Sequence, residues 1–206
     1  GNSGNGGSSG HVRVYEWTGV SWAQRGVDID GEAAGNRSGF SVSLSSDGSM
    51  LAIGADLNDD NGSNSGHVRV YEWTGTVWSQ RGVDIDGEAA ADQSGSSVSL
   101  SSDGSVLAIG ALFNDGNGSN SGNVRVYEWD GTGWSQRGVD IDGEAADDRS
   151  GISISLSSDG SLLAIGASGN SGNGGSSGHV RVYEWTGASG AQRGVDIDGE
   201  AAGDNS

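Results

Sequence analysis

The residues with the clearest potential for chemistry are carboxylates that recur in four short acidic segments. The first segment contains Asp28, Asp30 and Glu32. Aspartates two residues apart in a strand lie on the same side, where hard oxygen ligands could converge on Ca²⁺. Alternatively, they are solvated charges that protect an outer strand from edge-to-edge pairing. The predicted metal set is Asp28, Asp30, Glu32, Asp84, Asp86, Glu88, Asp140, Asp142, Glu144, Asp196, Asp198 and Glu200.

Paired tryptophans are a second candidate. Trp17 and Trp22 flank a four-residue turn, and two further pairs have the same spacing, whereas Gly190 replaces the second tryptophan of the last repeat. Exposed indole pairs can stack on sugars, but such pairs more often clasp a hairpin or fill a gap between structural units. The candidate glycan-binding set is Trp17, Trp22, Trp73, Trp78, Trp129 and Trp134.

Three asparagines begin a sequence that fits the acceptor for N-linked glycans: Asn36, Asn61 and Asn117. Such short patterns also arise by chance in loops rich in Asn and Ser. They matter only if the source organism glycosylates its proteins.

The case for catalysis is poor. His11, His67 and His179 occupy one repeat position, and Asn123 fills that position in the remaining repeat. A catalytic base would not be expected to be replaced by asparagine. The repeated pattern of strands also offers no nucleophile elbow. We therefore expect no enzyme and no required cofactor, with Ca²⁺ as the one ion that could bind.

The composition argues against several partners. The chain has 28 acidic and 10 basic residues, a net charge of −18, and no cysteine. Such a charge repels phosphate backbones and anionic membrane surfaces, so we expect no nucleic-acid partner. No apolar run is long enough to span a bilayer, so we expect no membrane insertion. Without cysteine there is neither a disulfide nor a thiolate metal site.

These candidates are positioned by a repeat of 56 residues. The string Val-Arg-Val-Tyr-Glu-Trp begins at residues 12, 68, 124 and 180, so the offset is 68 − 12 = 56 residues each time. Self-similarity at this scale indicates a repeat architecture.

One repeat predicts four antiparallel strands. Residues 41–45 and 51–55 alternate around Asp47-Gly48, a strong hairpin signal, and residues 67–73 and 78–86 predict two more strands. The hairpin makes neighbouring strands antiparallel, which argues against a parallel β-solenoid. The predicted fold class is therefore all-β, with β-propeller-type blades of four antiparallel strands.

Residues 39–55 and 66–71 resemble the FG-GAP repeat family, the blades of integrin-α-type propellers, and look closest to its bacterial and environmental variant. The phenylalanine of the motif is present at Phe40, whereas Ser96 and Ile152 replace it later. The resemblance implies a propeller, often seven-bladed, on extracellular proteins used for adhesion or assembly. In many members calcium sits in a long acidic loop between the first two strands. Here residues 46–49 are too short to wrap a cation, so that site is not carried over.

The phase of the family predicts complete blades at residues 39–94, 95–150 and 151–206. Residues 1–38 then supply only the third and fourth strands of another blade. Closed propellers need about four to eight blades, so we expect a piece of a longer chain, or further copies, to complete a ring or extend an array.

The sequence therefore predicts a non-enzymatic extracellular or cell-surface protein, structural or adhesive, that assembles through further blades or copies of itself. The alternative is a ligand-binding propeller, either calcium-assisted or lectin-like. Its partners would be glycans or cell-surface proteins.

Overall fold

A computed structural model describes residues 5–187 and 189–205. Residues 1–4 of the predicted half-blade, and residues 188 and 206 of the last predicted blade, lie outside the described residues. Within the described part of the chain all regular structure is β-strand, which confirms the predicted fold class. No helix there is long and apolar enough to cross a membrane.

The strands form three five-stranded sheets, which we call the first, second and third blades, and a two-part half-blade. The half-blade contains β1 (His11–Val12), β2 (Tyr15–Trp17), β3 (Trp22–Gln24) and β4 (Ile29–Asp30). The first blade contains β5 (Ser41–Leu44), β6 (Met50–Ala55), β7 (His67–Trp73), β8 (Trp78–Gln80) and β9 (Ile85–Asp86). The second blade contains β10 (Ser94–Leu100), β11 (Val106–Ala111), β12 (Asn123–Trp129), β13 (Trp134–Gln136) and β14 (Ile141–Asp142). The third blade contains β15 (Ser150–Leu156), β16 (Leu162–Ala167), β17 (His179–Trp185), β18 (Gly190–Gln192) and β19 (Ile197–Asp198).

The order of strands is the predicted up-and-down order, with one correction. In the first blade β5 pairs β6 and β6 pairs β7, both antiparallel. The predicted fourth strand, residues 78–86, is instead two strands, β8 and β9, which both pair β7. The break lies at Gly82, where φ is +84°, a conformation that glycine adopts without a steric penalty. The break matters because it sets Asp84 in a turn rather than in a strand.

Among the described residues, the half-blade contains only β1 to β4, which correspond to β7, β8 and β9 of the first blade. Its third strand is itself interrupted, because β1 pairs β4 while β2 pairs β3. In the first blade the matching strand β7 is continuous and is held on one side by β6. The half-blade has no strand on that side among the described residues, so one edge of β1 and β2 is left unpaired.

The Asp-Gly hairpin that reverses each complete blade is held by its aspartate. Asp47 Oδ1 accepts hydrogen bonds from the Ser49 amide at 2.9 Å and the Ser45 hydroxyl at 2.7 Å. Gly48 follows with φ of +66°. These hydrogen bonds favour the charged carboxylate and lower the pKa of Asp47 to about 2. Asp159 has the same surroundings in the third blade, and its pKa is also lowered to about 2.

Acidification is expected to weaken these hairpins. The pKa of Asp47 and Asp159 is lowered from 3.8 to about 2 in the folded protein. The stabilisation is therefore fully present above the unfolded pKa of about 4 and is lost as the pH falls through about 2. Carboxyl-carbon NMR titration should give both values. Titration of Asp47 and Asp159 near pH 4 would contradict the hairpin geometry.

The core lies between blades rather than within one. Leu107 and Ile109 of the second blade are fully buried in a cluster that also contains Ala52, Val68 and Val70 of the first blade. Equivalent clusters lie between the half-blade and the first blade and between the second and third blades. A face of large residues in one blade therefore meets a face of the preceding blade that is made of a small residue, Ala52, and of valines from the third strand.

The first strands of successive blades lie side by side and are joined by serine. Ser43 Oγ accepts a hydrogen bond from the Leu100 amide at 3.0 Å. Ser99 Oγ accepts the equivalent bond from the Leu156 amide at 3.0 Å. The small alternating serines of these strands therefore provide backbone-to-side-chain bonds from blade to blade.

Candidate metal centre

Four side chains converge at the junction of the half-blade and the first blade. His67, the first residue of β7, has a side chain that is 1% exposed. Its Nδ1 atom lies 3.7 Å from Glu32 Oε2, 3.7 Å from Asp60 Oδ2 and 3.8 Å from Asp84 Oδ2. All four atoms lie within 4.8 Å of one another. We call Glu32, Asp60, His67 and Asp84 the His67 cluster.

Two carboxylates of the cluster, those of Glu32 and Asp84, are each held by a second group. Arg69 Nη1 lies 3.5 Å from Glu32 Oε1, which leaves Oε2 for His67. Gln80 Nε2 donates to Asp84 Oδ1 at 2.5 Å, which leaves Oδ2 for His67. The Asp60 amide donates to Asn58 Oδ1 at 2.8 Å and fixes the loop at that point. This arrangement resembles the outer hydrogen bonds that orient metal ligands.

The imidazole at the centre of the cluster is deprived of water. Burial lowers the pKa of His67, and this effect outweighs the carboxylates of Glu32 and Asp84, which act to raise it. The neutral ring then has one nitrogen with a lone pair. Nδ1 has no hydrogen-bond partner, although it faces three carboxylates.

The other two blades vary the same site. In the third blade His179 Nδ1 lies 3.6 Å from Glu144 Oε2 and 4.0 Å from Asp196 Oδ2, and Gly172 stands where the first blade has Asp60. In the second blade both Asp60 and His67 are replaced, by Gly116 and Asn123. There Asn123 Nδ2 donates directly to Glu88 Oε2 at 3.2 Å.

The structure brings together carboxylates from different acidic segments, whereas the sequence analysis had grouped the carboxylates within each segment. Glu32 meets Asp84 of the next blade rather than Asp28 and Asp30 of its own segment. Asp28 instead accepts hydrogen bonds from Arg13 Nε at 3.0 Å and Gln24 Nε2 at 2.8 Å. Among the described residues, groups of three or more potential ligands meet in two places only, the His67 cluster and its third-blade equivalent. The predicted residues outside both places are Asp28, Asp30, Asp86, Glu88, Asp140, Asp142, Asp198 and Glu200.

His67 and Asp60 were not among the predicted ligands. The sequence carried only a partial signal, because the third blade changes Asp60 alone, to Gly172, and keeps His179, whereas the second blade changes both positions, to Gly116 and Asn123. The two changes remove a carboxylate and an imidazole from one site. The pairing was visible only after the fold had placed residues 60 and 67 together.

The three tryptophan pairs differ in position, because two contact the preceding unit of the fold and one is exposed on the half-blade. The two rings of each pair are 5.3–5.5 Å apart. Trp78 Nε1 donates to the Arg25 carbonyl at 2.9 Å, and Trp134 Nε1 donates to the Arg81 carbonyl at 3.0 Å. These contacts join each second tryptophan to the preceding unit, which favours packing over sugar binding for Trp73, Trp78, Trp129 and Trp134. Trp17 and Trp22 remain exposed on the half-blade.

Where the last repeat lacks its second tryptophan, a cavity of about 340 Å³ is present. Val139, Ile141, Tyr183, Trp185 and Gly190 line it.

The three asparagines of the glycan-acceptor pattern lie in different surroundings. Asn36 is buried. Asn61 Nδ2 donates to the Gly87 carbonyl at 2.7 Å, and Asn117 Nδ2 donates to the Gly143 carbonyl at 2.9 Å. In each of these two, the nitrogen that would carry a glycan is hydrogen-bonded between loops.

The blades and their inter-blade cores define a β-propeller-type repeat protein. The family model of the FG-GAP repeat matches residues 27–71 and 83–127. Residues 27–71 and 83–127 therefore contain FG-GAP-type repeats, and the resemblance of the sequence is confirmed. No curated protein matches it.

Solved structures show the same fold. A candidate 6-phosphogluconolactonase from Bacteroides uniformis aligns with a TM-score of 0.65 and 12% identity, covering 93% of this chain and 49% of that one. A second such protein, from Bacteroides fragilis, aligns with a TM-score of 0.53 and 13% identity, covering 76% and 38%. Hydrazine synthase of Kuenenia stuttgartiensis aligns with a TM-score of 0.50 and 17% identity, covering 80% and 36%. The chain spans half or less of these structures, and identities this low show the fold alone.

Proposed function

We propose that this chain is a non-enzymatic structural or adhesive part of an extracellular or cell-surface protein, and that it extends by placing further blades against its two end faces. Those blades come from other copies or from the rest of a longer chain. FG-GAP repeats are typical of extracellular and surface proteins. The described residues offer repeated blade-to-blade contacts, and every repeat is used for packing.

The observation that supports this proposal is the burial of an isoleucine that occupies the same repeat position four times along the chain. Ile141, in β14 of the second blade, is 8% exposed because it packs in the cluster with Leu163 and Ile165 of the third blade. Ile29 and Ile85 are buried in the same way. Ile197 holds the same position in the third blade and is 62% exposed.

The opposite end face is uncovered as well. Tyr71 and Tyr127 are buried in the clusters that their blades form with the preceding unit, whereas Tyr15 of the half-blade is exposed. One end face is therefore of the kind that carries the isoleucine, and the other is of the kind that carries the tyrosine. Faces of these two kinds already pack against each other at three junctions within the chain. Contacts of this head-to-tail kind close into rings or continue as filaments.

Analytical ultracentrifugation of the 206-residue chain tests the proposal. We expect concentration-dependent association that Ile197→Asp weakens at least tenfold, since a carboxylate cannot be buried unpaired in an apolar contact. Val195→Asp is the matched control, because valine at this repeat position is exposed in every blade: Val27, Val83, Val139 and Val195. A monomer at all concentrations, or equal effects of both substitutions, would refute end-to-end assembly.

A lectin-like function is the second candidate, and the exposed pair Trp17 and Trp22 supports it. Their rings lie 5.5 Å apart at an angle of 63°. A glycan-array screen that compares the wild-type chain with the Trp22→Ala variant tests this alternative. Hits that disappear in the variant would favour sugar binding, whereas an array without hits would reject it.

A further inference from the structure

We propose that the His67 cluster binds a divalent first-row transition metal, with Zn²⁺ as the reference ion. Its ligands would be Nδ1 of His67 and one carboxylate oxygen each from Glu32, Asp60 and Asp84. The site differs from the calcium site predicted from the acidic segments, because its central ligand is nitrogen and its carboxylates come from different repeats. The inference does not depend on assembly of the chain.

The central observation is a buried nitrogen without a partner. The His67 side chain is 1% exposed, and its Nδ1 has no hydrogen bond although it faces three carboxylates at 3.7–3.8 Å. Leaving a buried polar atom unsatisfied costs free energy. A cation in the middle of the cluster would satisfy the nitrogen and the three oxygens at once.

The spacing of the four atoms suits a small ion. Four tetrahedral ligands at about 2.1 Å from Zn²⁺ lie about 3.4 Å from one another. The distances from His67 Nδ1 to the three oxygens, 3.7, 3.7 and 3.8 Å, exceed this value by a few tenths of an ångström. The four ligand atoms lie within 4.8 Å of one another, so the carboxylate side chains would rotate inward to close the site.

The charge of the site also suits a divalent cation. Three carboxylates carry a formal charge of −3, and the buried guanidinium of Arg69 beside Glu32 contributes +1. The remaining −2 equals the charge that a divalent ion brings. An all-oxygen site would suit Ca²⁺ or Mg²⁺, whereas an imidazole ligand favours Zn²⁺ and its neighbours in the first transition row.

The ion would join two units of the fold. Glu32 follows β4 in the half-blade, whereas Asp60, His67 and Asp84 belong to the first blade. The half-blade lacks two strands and packs on the first blade by one face. A metal at this junction would therefore act as a structural cross-link between them.

The chain contains its own comparison sites. The junction of the second and third blades offers three ligands, Glu144, His179 and Asp196, and should bind the ion more weakly. The second blade has Asn123 and Gly116 in place of the histidine and the loop aspartate, and Asn123 bonds Glu88 directly. We expect no binding there.

The first test measures Zn²⁺ binding to the full chain by isothermal titration calorimetry, with Ca²⁺ as competitor. His67→Asn introduces the residue that the second blade has at this position. Because it removes a direct ligand, it should lower the affinity of the tightest site for Zn²⁺ by at least 10–100-fold, the loss that removal of an outer-shell partner causes. His179→Asn should leave that site intact.

Zn²⁺ at about 100 times its Kd should raise the melting midpoint of wild-type protein by about 5–10 °C. Equal affinities of wild-type and His67→Asn chains, or displacement of Zn²⁺ by equimolar Ca²⁺, would overturn the proposal.

The second test introduces the site into the second blade, where the chain lacks it. The expected result is therefore a gain of metal binding rather than a loss. Gly116→Asp combined with Asn123→His gives the second blade the ligand types of the first. A Cβ at Gly116 lies 2.8 Å from Asp142 Oδ1 and 2.9 Å from Asn114 Oδ1, so these side-chain ends must move aside. We expect one additional equivalent of tightly bound Zn²⁺ by metal analysis after dialysis. A folded double variant, checked by circular dichroism, that binds no more Zn²⁺ than wild type would overturn the ligand assignment.

Discussion

Replacing Gly110 by alanine is expected to lower the free energy of unfolding by about 3 kcal/mol, the upper part of the range for overpacking. Gly110 lies in β11 at the contact with the third blade. A Cβ there would come closer to the carbonyl oxygen of Gly151 than any real Cβ approaches an oxygen. Because the obstacle is backbone of the neighbouring blade, relief requires the two blades to move apart.

Gly166→Ala is the matched control for Gly110→Ala. It occupies the same repeat position in the third blade, where the closest atom to a new Cβ is the hydroxyl of Ser153, and no carbonyl of a following blade is close. Ser153 can rotate, and alanine also reduces the entropy of the unfolded chain. We expect a change below about 1 kcal/mol in urea unfolding. Similar losses of unfolding free energy in both variants would show that the spacing between blades does not require glycine at this position.

Replacing Leu100 by alanine should cost about 2–4 kcal/mol, whereas Leu44→Ala should cost less than about 1 kcal/mol. The two leucines are one repeat apart. Leu100 is 7% exposed in the cluster between the first and second blades, and Leu44 is 49% exposed on the side where no complete blade precedes it. Cavity formation accounts for the larger loss.

The comparison of Leu100 with Leu44 is made by urea unfolding at low protein concentration, so that contacts between copies do not cover Leu44. Equal losses would contradict the burial pattern of the blades. A loss at Leu44 that grows with protein concentration would instead show that another copy covers this face, as the assembly proposal requires.

The elements of one blade could be predicted because their signals are local. Alternation in residues 51–55, the Asp47-Gly48 turn and the apolar pattern of residues 67–73 depend on neighbours in sequence. The structure has strands at Met50–Ala55 and His67–Trp73 in agreement. The split of the fourth strand was missed because Gly82 interrupts a run that otherwise reads as one strand.

The composition of the site could be predicted only in part. Glu32 and Asp84 were identified as potential ligands from their acidic segments, and the structure brings both to His67. Asp60 was not among the predicted ligands, and Gly116 and Gly172 replace it; His67 was considered only as a catalytic base, and Asn123 replaces it. Such drift argues against a site in every blade, but it is compatible with a site in one.

The amino-acid sequence by itself determined the 56-residue period, the antiparallel hairpin and the blade architecture, because each depends on short-range patterns that the repeat shows several times. Tertiary structure alone decided which carboxylates meet. Glu32 and Asp84 lie 84 − 32 = 52 residues apart and approach only because one unit packs against the next. It also decided that Ile141 is buried and Ile197 is exposed. Residues with the same local sequence differ there because burial depends on whether a neighbouring blade covers them.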